Sequence, residues 1–284
     1  MNKDSKILIV GLGMIGASYA EKLHGCGFFT GGISARQGTV DKALSEGIID
    51  CGTVDVTKEF VSRFDIIIFA LYPNLFVQWV SKYQDCFKSG ALITDVTGVK
   101  SSIVYRVQEM LKEDVEFIAA HPMAGRELSG IDNRSPEVFE GANYIVTPTS
   151  GNTSAAVETA CEIGRILGFG HISVLSPEEH DEMIAFLSQL THCIAVSLMC
   201  CKDSTHLVDY TGDSFRDLTR IANINENMWA ELFLLNRNQL LQAMDLFQGE
   251  FARLRKAIAE GDQSTMKEMM KTSTERRKYF NKQK

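Results

Sequence analysis

Residues 6–16 read Lys-Ile-Leu-Ile-Val-Gly-Leu-Gly-Met-Ile-Gly, an apolar run that leads directly into three glycines at positions 11, 13 and 16. An apolar strand, a glycine turn and the start of a helix are together the context in which this spacing binds a dinucleotide. Gly11 permits the tight turn, Gly13 lets a pyrophosphate approach the backbone, and Gly16 lets the helix pack closely on the strand. The stretch therefore predicts the first unit of a dinucleotide-binding domain.

The rest of the first half alternates short apolar runs with helical patterns, which is typical of a doubly wound parallel sheet. The runs are apolar without strict alternation, as expected for strands buried on both faces. The predicted strands are residues 6–10, 32–34, 66–71, 91–95, 116–120, 143–147 and 171–175. The predicted helices begin after residue 13 and cover 40–45, 74–83, 101–112 and 153–167.

A different pattern begins near residue 172. The sequence Ser-Pro-Glu-Glu at 176–179 is typical of a helix N-terminus, with serine as cap, proline in the first helical position and acids in the first turn. Only helical patterns follow, at 177–201, 213–222, 226–259 with a break, and 262–280. We therefore predict an α/β protein: a Rossmann-type doubly wound domain, residues 1–172, followed by an all-helical substrate and dimerisation domain, residues 173–284.

Composition narrows the possible partners. A formal charge of −7 argues against a nucleic-acid partner. The seven cysteines are scattered and never spaced Cys-x-x-Cys, so we expect reduced thiols, no disulfide framework and no metal site. We expect no apolar run that approaches the ~20 residues of a membrane span, and no signal peptide. The sequence thus indicates a cytoplasmic protein without a membrane partner.

The tip of the second predicted strand bears on the choice of cofactor. In NAD-preferring proteins an acid about twenty residues after the glycines accepts hydrogen bonds from the ribose hydroxyls. This chain has no carboxylate between Glu21 and Asp41, and the strand tip carries Ser34 and Arg36. Because arginine binds phosphate through its charge and fork geometry, we predict that NADP is preferred and that NAD is possible. The alternative is that Arg36 stacks on the adenine or is solvated.

Polar residues follow two further predicted strands. Residues 91–100, Ala-Leu-Ile-Thr-Asp-Val-Thr-Gly-Val-Lys, leave a strand for a turn, and His121 follows the apolar run that ends at residue 120. Since the carboxyl ends of parallel strands border the ligand crevice, we expect Thr97, Lys100 and His121 to converge near the nicotinamide as catalytic residues. The alternative for a lone histidine is a structural role. The predicted cofactor-binding residues are Gly11, Leu12, Gly13, Met14, Ile15, Gly16, Ser34, Arg36, Leu71 and Asp95.

The predicted helix 177–201 is apolar nearly all round, which indicates burial against another subunit or the first domain. At helical spacing, however, Asp181, Ala185, Ser188 and His192 form a stripe about 60° wide. Two interpretations stay open: an internally satisfied hydrogen-bond network, or a surface that faces a polar substrate. Apolar clusters such as residues 232–235 exceed what one small domain buries, which predicts a homodimer through the C-terminal helices.

Five segments together resemble the prephenate and arogenate dehydrogenases of tyrosine biosynthesis. They are residues 11–16, 95–100, 121–130 (HPMAGRELSG), 180–181 with 188–192, and 217–222 leading to 228–229. The resemblance spans nearly the whole chain. It implies oxidative decarboxylation of a cyclohexadienol that carries a ring carboxylate, with reduction of NAD(P)⁺. The product is 4-hydroxyphenylpyruvate if the substrate is prephenate and tyrosine if it is arogenate. We expect no tyrosine-sensing segment after the helices and therefore no control by one.

The resemblance also implies roles for individual residues. His121 would accept the proton of the ring hydroxyl, Arg220 would hold a substrate carboxylate, and Glu127 would stand at the mouth of the site. The full implied substrate set is Arg220, Glu127, Ser188, Gln189, His192, Asp217 and Trp229.

Two positions depart from the family pattern. Gly98 stands where many relatives carry serine, so hydroxyl support for His121 must come from Thr97 or Ser101, or be absent. Gln189 stands where relatives often have histidine; because glutamine cannot become a cation, the way the substrate side chain is read stays open.

Two other function classes compete with this interpretation. A β-hydroxyacid type of dehydrogenase shares the domain order but gives no reason for the His-Pro-x-Ala-Gly segment at 121–125. A non-catalytic NADP-sensing protein on the same fold is less consistent with His121 and Arg220.

Overall fold

The computed structural model describes residues 1–125, 128–203 and 205–280. The chain divides into two compact units, Met1–Asn236 and Arg237–Lys284. The first unit contains every described strand and ten α-helices. The second unit contains two α-helices.

Six strands form one parallel sheet in the order β3-β2-β1-β4-β5-β6. They are β1 (Ile7–Val10), β2 (Thr30–Ile33), β3 (Cys51–Thr53), β4 (Ile66–Phe69), β5 (Leu92–Asp95) and β6 (Glu116–Phe117). This is the predicted doubly wound sheet, and it confirms the fold class. The strand order reverses between β1 and β4, where the carboxyl ends of parallel strands border a ligand crevice.

A second sheet of three strands lies in the order β7-β8-β9. Its strands are β7 (Ala119–Met123), β8 (Asn143–Thr147) and β9 (His171–Val174). Strand β8 pairs antiparallel with β7 and parallel with β9, so the predicted strands 143–147 and 171–175 form, with β7, a small mixed sheet.

Helices cover both faces of the parallel sheet. Those of the first unit are α1 (Met14–Gly25), α2 (Gln37–Ser45), α3 (Lys58–Val61), α4 (Pro73–Tyr83), α5 (Ser101–Met110), α6 (Ser154–Leu167), α7 (Pro177–Ile184), α8 (Leu190–Cys200), α9 (Asp213–Thr219) and α10 (Glu226–Leu235). Alternate residues of β1 enter different cores: Ile7 and Ile9 pack with α1 and α6, whereas Leu8 and Val10 pack with α4 and α5. Burial on both faces explains why the strand sequences are continuously apolar.

Two strand predictions were incomplete. Strand β3 was missed because it has only three residues and contains Gly52. The single strand predicted at 116–120 was wrong: the chain leaves the parallel sheet after Ile118, whose N–H still donates to the Ile93 carbonyl, and enters β7. His121 therefore lies inside β7, opposite Ile145, and not after the end of a strand.

The predicted helix start at residue 176 is confirmed. The Ser176 hydroxyl accepts a hydrogen bond from the Glu179 N–H, and the Glu179 carboxylate accepts one from the Ser176 N–H. This reciprocal arrangement satisfies two donors that the first turn would otherwise leave without partners. The predicted helix 177–201 is interrupted by a π-helical segment, Ala185–Gln189, between α7 and α8.

The stretch Pro177–Cys200 is more exposed within one chain than expected, with Phe186 54% exposed and Met199 42% exposed. By length and composition alone it is also the one described stretch apolar enough to cross a membrane, with a mean hydropathy of 1.7 over 18 residues. The expectation that no such run exists was therefore wrong. The same stretch carries fully buried polar side chains, including His180, that have protein partners.

The second unit is a helical hairpin of α11 (Arg237–Glu260) and α12 (Gln263–Lys278). The turn contains Gly261 at φ +70° and Asp262, whose carboxylate accepts hydrogen bonds from the first turn of α12. Arg253 and Glu268 form an ion pair between the two helices. The break predicted within 226–259 falls at Asn236.

Candidate active site

The glycine turn between β1 and α1 has the shape that a dinucleotide needs. Gly11 has φ +100°, and a Cβ there would lie 2.4 Å from the Ala70 carbonyl oxygen. A Cβ on Gly16 would lie 1.9 Å from the Gly11 carbonyl oxygen, so only glycine allows this helix to approach the strand. Gly13 is exposed, has no atom near its Cβ position and supplies no side-chain cap to α1. The first turn of α1 thus offers free N–H groups to a pyrophosphate, and the residues present fit a dinucleotide.

The predicted specificity residues lie at the neighbouring strand tip. Ser34 follows β2, and its hydroxyl accepts a hydrogen bond of 3.4 Å from the Arg36 N–H. The Arg36 side chain is exposed and makes no ion pair within the described residues. Leu71 follows β4 and lies beside Gly11, where its Cδ2 would be 2.8 Å from an added Cβ. The remaining predicted residues of the turn, Leu12, Met14 and Ile15, are buried or half-buried.

Asp95, Thr97 and Lys100 form a fully buried polar cluster at the end of β5. The Lys100 ammonium lies 3.0 and 2.8 Å from the two carboxylate oxygens of Asp95 and donates to the Ala120 carbonyl at 2.6 Å. Asp95 also accepts hydrogen bonds from the Thr97 hydroxyl and from the Ala120 N–H at 3.1 Å. Both main-chain groups of Ala120, the residue before His121, are thus held by this ion pair.

The contacts of this cluster differ from the sequence expectation. Thr97 and Lys100 were expected to face the nicotinamide and Asp95 to bind the cofactor, yet their polar atoms are occupied inside the protein. Burial lowers the pKa of Lys100, although Asp95 favours its charged form. Where the chain passes from the parallel sheet to β7, the N–H and carbonyl of Ala120 bond to this ion pair and not to a strand of the parallel sheet. These bonds hold the start of β7 in position.

His121, His180 and Asp181 form a continuous chain of hydrogen bonds, here called the histidine relay. The His121 Nδ1 and His180 Nε2 atoms are 2.8 Å apart, and His180 Nδ1 is 2.8 Å from Asp181 Oδ1. The Asp181 carboxylate also accepts hydrogen bonds of 2.8 Å from the N–H groups of Lys100 and Ser101. Burial alone would raise the pKa of Asp181, but these hydrogen bonds lower it.

The relay determines which nitrogen of His121 is basic. A carboxylate only accepts, so His180 donates from Nδ1 and its Nε2 accepts the proton of His121 Nδ1. The lone pair of His121 is then on Nε2. Burial, His180 and Lys100 hold the pKa of His121 well below its ordinary value, and burial also lowers the pKa of His180. His121 is therefore a neutral base at neutral pH.

Gly98 lies beside the basic nitrogen of His121. A Cβ on Gly98 would be 3.7 Å from His121 Nε2 and 3.8 Å from Cδ2 of Leu232 in α10. Within the described residues, neither of the two hydroxyls considered as substitutes for a serine forms a hydrogen bond to His121. The Thr97 hydroxyl donates to Asp95 and lies 3.0 Å from the Val99 carbonyl, and Ser101 contributes its main-chain N–H to Asp181.

From the sequence, His180 was part of a segment of the family resemblance but had no predicted role, and Asp181 had two possible interpretations. For Asp181 the contacts correspond to the internal network, because both carboxylate oxygens accept hydrogen bonds from protein groups. A signal was present: His180 and Asp181 are adjacent polar residues near the start of a long helical pattern whose residues from 183 onward are mostly apolar. What the sequence does not contain is the distance between His180 and His121.

The predicted substrate residues fall into two groups. His192 Nδ1 donates a hydrogen bond to the Ser188 carbonyl at 2.9 Å, and the His192 ring stacks on Trp229 with centroids 3.7 Å apart. Arg220 and Asp217 are exposed, at the start of a 3₁₀ turn and in α9. His192 therefore lies on α8, Asp217 on α9, Arg220 in the 3₁₀ turn after α9, and Trp229 on α10.

Two further predicted substrate residues are placed differently. Gln189 is 1% exposed, and both ends of its amide have protein partners, so its contacts give no support to a substrate-reading role. Glu127 lies outside the described residues.

Comparisons with known proteins agree over nearly the whole chain. Residues 19–168 match the family model for the prephenate dehydrogenase nucleotide-binding domain, and residues 176–272 match the prephenate dehydrogenase dimerization domain. The cyclohexadienyl dehydrogenase of Zymomonas mobilis is 29% identical, over 95% of this chain and 94% of that protein.

Solved structures give the same result. Prephenate dehydrogenase from Aquifex aeolicus, in complex with hydroxyphenyl propionate and NAD⁺, has a TM-score of 0.86 at 27% identity and covers 97% of this chain and 98% of its own. Arogenate dehydrogenase from Synechocystis has a TM-score of 0.83 at 26% identity, with 96% and 99% covered.

Proposed function

The chain belongs to the prephenate dehydrogenase family, and on that premise we propose that it converts prephenate to 4-hydroxyphenylpyruvate and CO₂ with reduction of NAD(P)⁺. The observation that supports this most directly is the neutral His121, whose Nε2 is left basic by the histidine relay. A base of this kind suits removal of a proton from the ring hydroxyl as the same carbon loses a hydride.

In the proposed mechanism His121 moves one proton. It accepts the hydroxyl proton when the carbinol carbon is oxidised to a ketone. The C–C bond to the ring carboxylate then breaks, CO₂ leaves, and its electron pair aromatises the ring. The ketone oxygen becomes a phenol and takes back a proton, so no net proton is released. His180 and Asp181 keep the imidazole in the tautomer that both steps need.

A nicotinamide cofactor held at residues 11–16 would supply the hydride acceptor. The protein contributes orientation. The Asp95–Lys100 ion pair holds the main chain before His121, and the relay fixes the ring itself. Because loss of CO₂ is driven by aromatisation, positioning of the reactants is the main task left to the protein.

The assay that tests this function uses the pure protein with prephenate and NADP⁺, and follows the absorbance of reduced cofactor. The same assay with arogenate tests the alternative, in which the product is tyrosine. Because the chain is similar to both a prephenate and an arogenate dehydrogenase, arogenate remains the alternative substrate. Absence of turnover with both substrates would favour a non-catalytic, cofactor-sensing protein.

We expect Arg220→Ala to weaken substrate binding by on the order of 2 to 5 kcal/mol, the range for truncating one partner of a desolvated charge pair. The proposed partner is a substrate carboxylate. The Michaelis constants for substrate and cofactor are measured separately, and only the former should rise. Arg216→Ala is the matched control, since Arg216 is an exposed arginine of α9 that pairs with Asp213. An unchanged Michaelis constant for substrate would place the carboxylate elsewhere.

We expect NADP⁺ to be preferred over NAD⁺ in kcat/KM. Ser34→Asp combined with Arg36→Ala should reverse the preference, because the new carboxylate repels the 2′-phosphate and accepts hydrogen bonds from free ribose hydroxyls. Arg36→Ala alone should impair NADP⁺ more than NAD⁺. Steady-state kinetics with both cofactors at saturating substrate measure this. Equal or better use of NAD⁺ by the unmodified protein would show that Arg36 does not contact the cofactor.

The organisation of the whole protein is part of the proposal. A boundary near residue 172, between domains 1–172 and 173–284, is supported by the gap between the two matched family models. A homodimer through the C-terminal helices is supported by the dimerization-domain match and by exposed apolar residues, Leu234, Leu246 and Phe251 among them. Light scattering should give twice the chain mass of 31.6 kDa.

A cytoplasmic location without a membrane or nucleic-acid partner is consistent with the charge of −7 and with the paired polar groups of α7.

A further inference from the structure

Gln189 and Asn236 form a buried pair of amides, with 1% and 4% of their surface exposed. The Asn236 Nδ2 atom donates to Gln189 Oε1 at 2.9 Å and to the main-chain carbonyl of Asp181 at 2.9 Å. The Gln189 Nε2 atom donates to the carbonyl of Leu232 at 3.2 Å. Because main-chain carbonyls only accept hydrogen bonds, these contacts fix the orientation of both amides.

The pair joins the segment that carries the histidine relay to helix α10. Gln189 is the last residue of the π-helical segment after α7, and Asn236 directly follows α10. One bond from Asn236 reaches the main chain of Asp181, the acid of the relay. The bond from Gln189 reaches Leu232, whose side chain lies at Gly98, next to His121 Nε2.

We propose that Gln189 and Asn236 form an amide latch that positions the Asp181–His180–His121 relay, and that Gln189 does not read the substrate side chain. Only the kinetic test of this proposal rests on the proposed function. A rotation of α7 would lengthen the contacts that the relay makes outside this helix, which are the 2.8 Å contact between His180 and His121 and the 2.8 Å bonds from the Lys100 and Ser101 N–H groups to Asp181. The latch opposes that rotation by binding the Asp181 main chain, and it needs one acceptor and one donor at position 189.

The requirement for one acceptor and one donor defines the variants. Gln189→Met has nearly the same shape but makes neither hydrogen bond, whereas the neutral imidazole of Gln189→His offers one acceptor and one donor. Asn236→Leu removes the latch from the other side. We expect Gln189→Met and Asn236→Leu to lower kcat about tenfold or more, with the Michaelis constants for substrate and cofactor within about twofold. Gln189→His should retain most of the activity.

A second readout needs no turnover. The titratable groups that act on His121 are His180 from α7 and Lys100, which directly precedes α5. Asp181 pairs with His180 and Asp95 with Lys100, and the apolar Leu232 of α10 lies at Gly98 beside His121 Nε2. When the latch is lost, His121 should become more solvated and its pKa should rise towards its ordinary value. Titration of the imidazole resonances by NMR, with His121→Asn to assign the signal, measures this in Gln189→Met. The acid limb of the kcat/KM profile should move to higher pH in the same variant.

Two results would overturn the latch. One is a Gln189→Met protein whose kcat and His121 titration match the unmodified protein. The other is a change confined to the Michaelis constant for substrate, or to the ratio of activity on prephenate and arogenate, which would make Gln189 a substrate reader. Cofactor affinity, measured by fluorescence, verifies that each variant is folded. If the unmodified protein turned over neither substrate, the NMR titration would still decide the question of the latch.

Discussion

Replacing His121 with asparagine is expected to lower kcat by a factor of roughly 10² to 10⁴ and to leave cofactor affinity nearly unchanged. Asparagine keeps a polar side chain of similar reach but has no basic nitrogen. In the unmodified protein the relay directs the lone pair of His121 to Nε2, and the lowered pKa keeps the ring neutral. The loss therefore falls on the proton-transfer step and not on binding.

Steady-state kinetics and cofactor titration test this prediction together. His171→Asn is the matched control, because His171 is an exposed histidine at the start of β9. Activity needs neutral His121, and the pKa of His121 lies well below 6.5, the ordinary value for histidine. We therefore expect kcat/KM to stay high as the pH falls past 6.5 and to decline only at lower pH, where His121 becomes protonated. Near-normal turnover by His121→Asn would remove this residue from the mechanism.

Lys100→Met is expected to lower the free energy of unfolding by about 3 to 5 kcal/mol, the range for removing one partner of a buried ion pair. Both side chains of the Asp95–Lys100 pair are fully buried. The substitution leaves the Asp95 carboxylate without its counter-charge and the Ala120 carbonyl without its donor. The apolar stem of methionine fills most of the space, so the loss reports on charge and hydrogen bonding more than on a cavity.

Urea unfolding of the unmodified protein and the variant measures the difference. Lys88→Met is the matched control, because the Lys88–Asp65 pair is about one-third exposed and its loss should cost less than about 1 kcal/mol. If the two variants lost the same small amount of stability, the cluster around Asp95 would not be the support of β7 that its contacts indicate.

Local features of this protein were predictable from its sequence. The glycines at 11, 13 and 16 specify a turn because backbone conformation and close approach depend on the residues of the turn itself. The start of α7 at Ser176 was predictable for the same reason, since its capping bonds join residues three positions apart. Apolar strands buried on both faces indicated the parallel sheet, and the combination of segments identified the family.

The sequence does not show which polar side chains contact each other. Thr97 and Lys100 have the residue types and the strand-end placement of catalytic groups, yet their contacts are with Asp95 and the chain before His121. Gln189 lies in a segment that the family resemblance assigns to substrate, yet it is buried against Asn236. In each case the residue type is compatible with both roles, and the sequence does not contain the burial and the contacts that bear on the choice.

The sequence by itself determined the glycine turn, most of the succession of strands and helices, and the family. Only the tertiary structure decided the tautomer of His121, the division of the segment 116–123 between two sheets, and the partners of Gln189. The reason is sequence separation: His121 and His180 are 59 residues apart, Asp181 and Lys100 are 81, and Gln189 and Asn236 are 47. Contacts of this kind form only when the packing of the strands and helices brings distant segments together, so no local pattern encodes them.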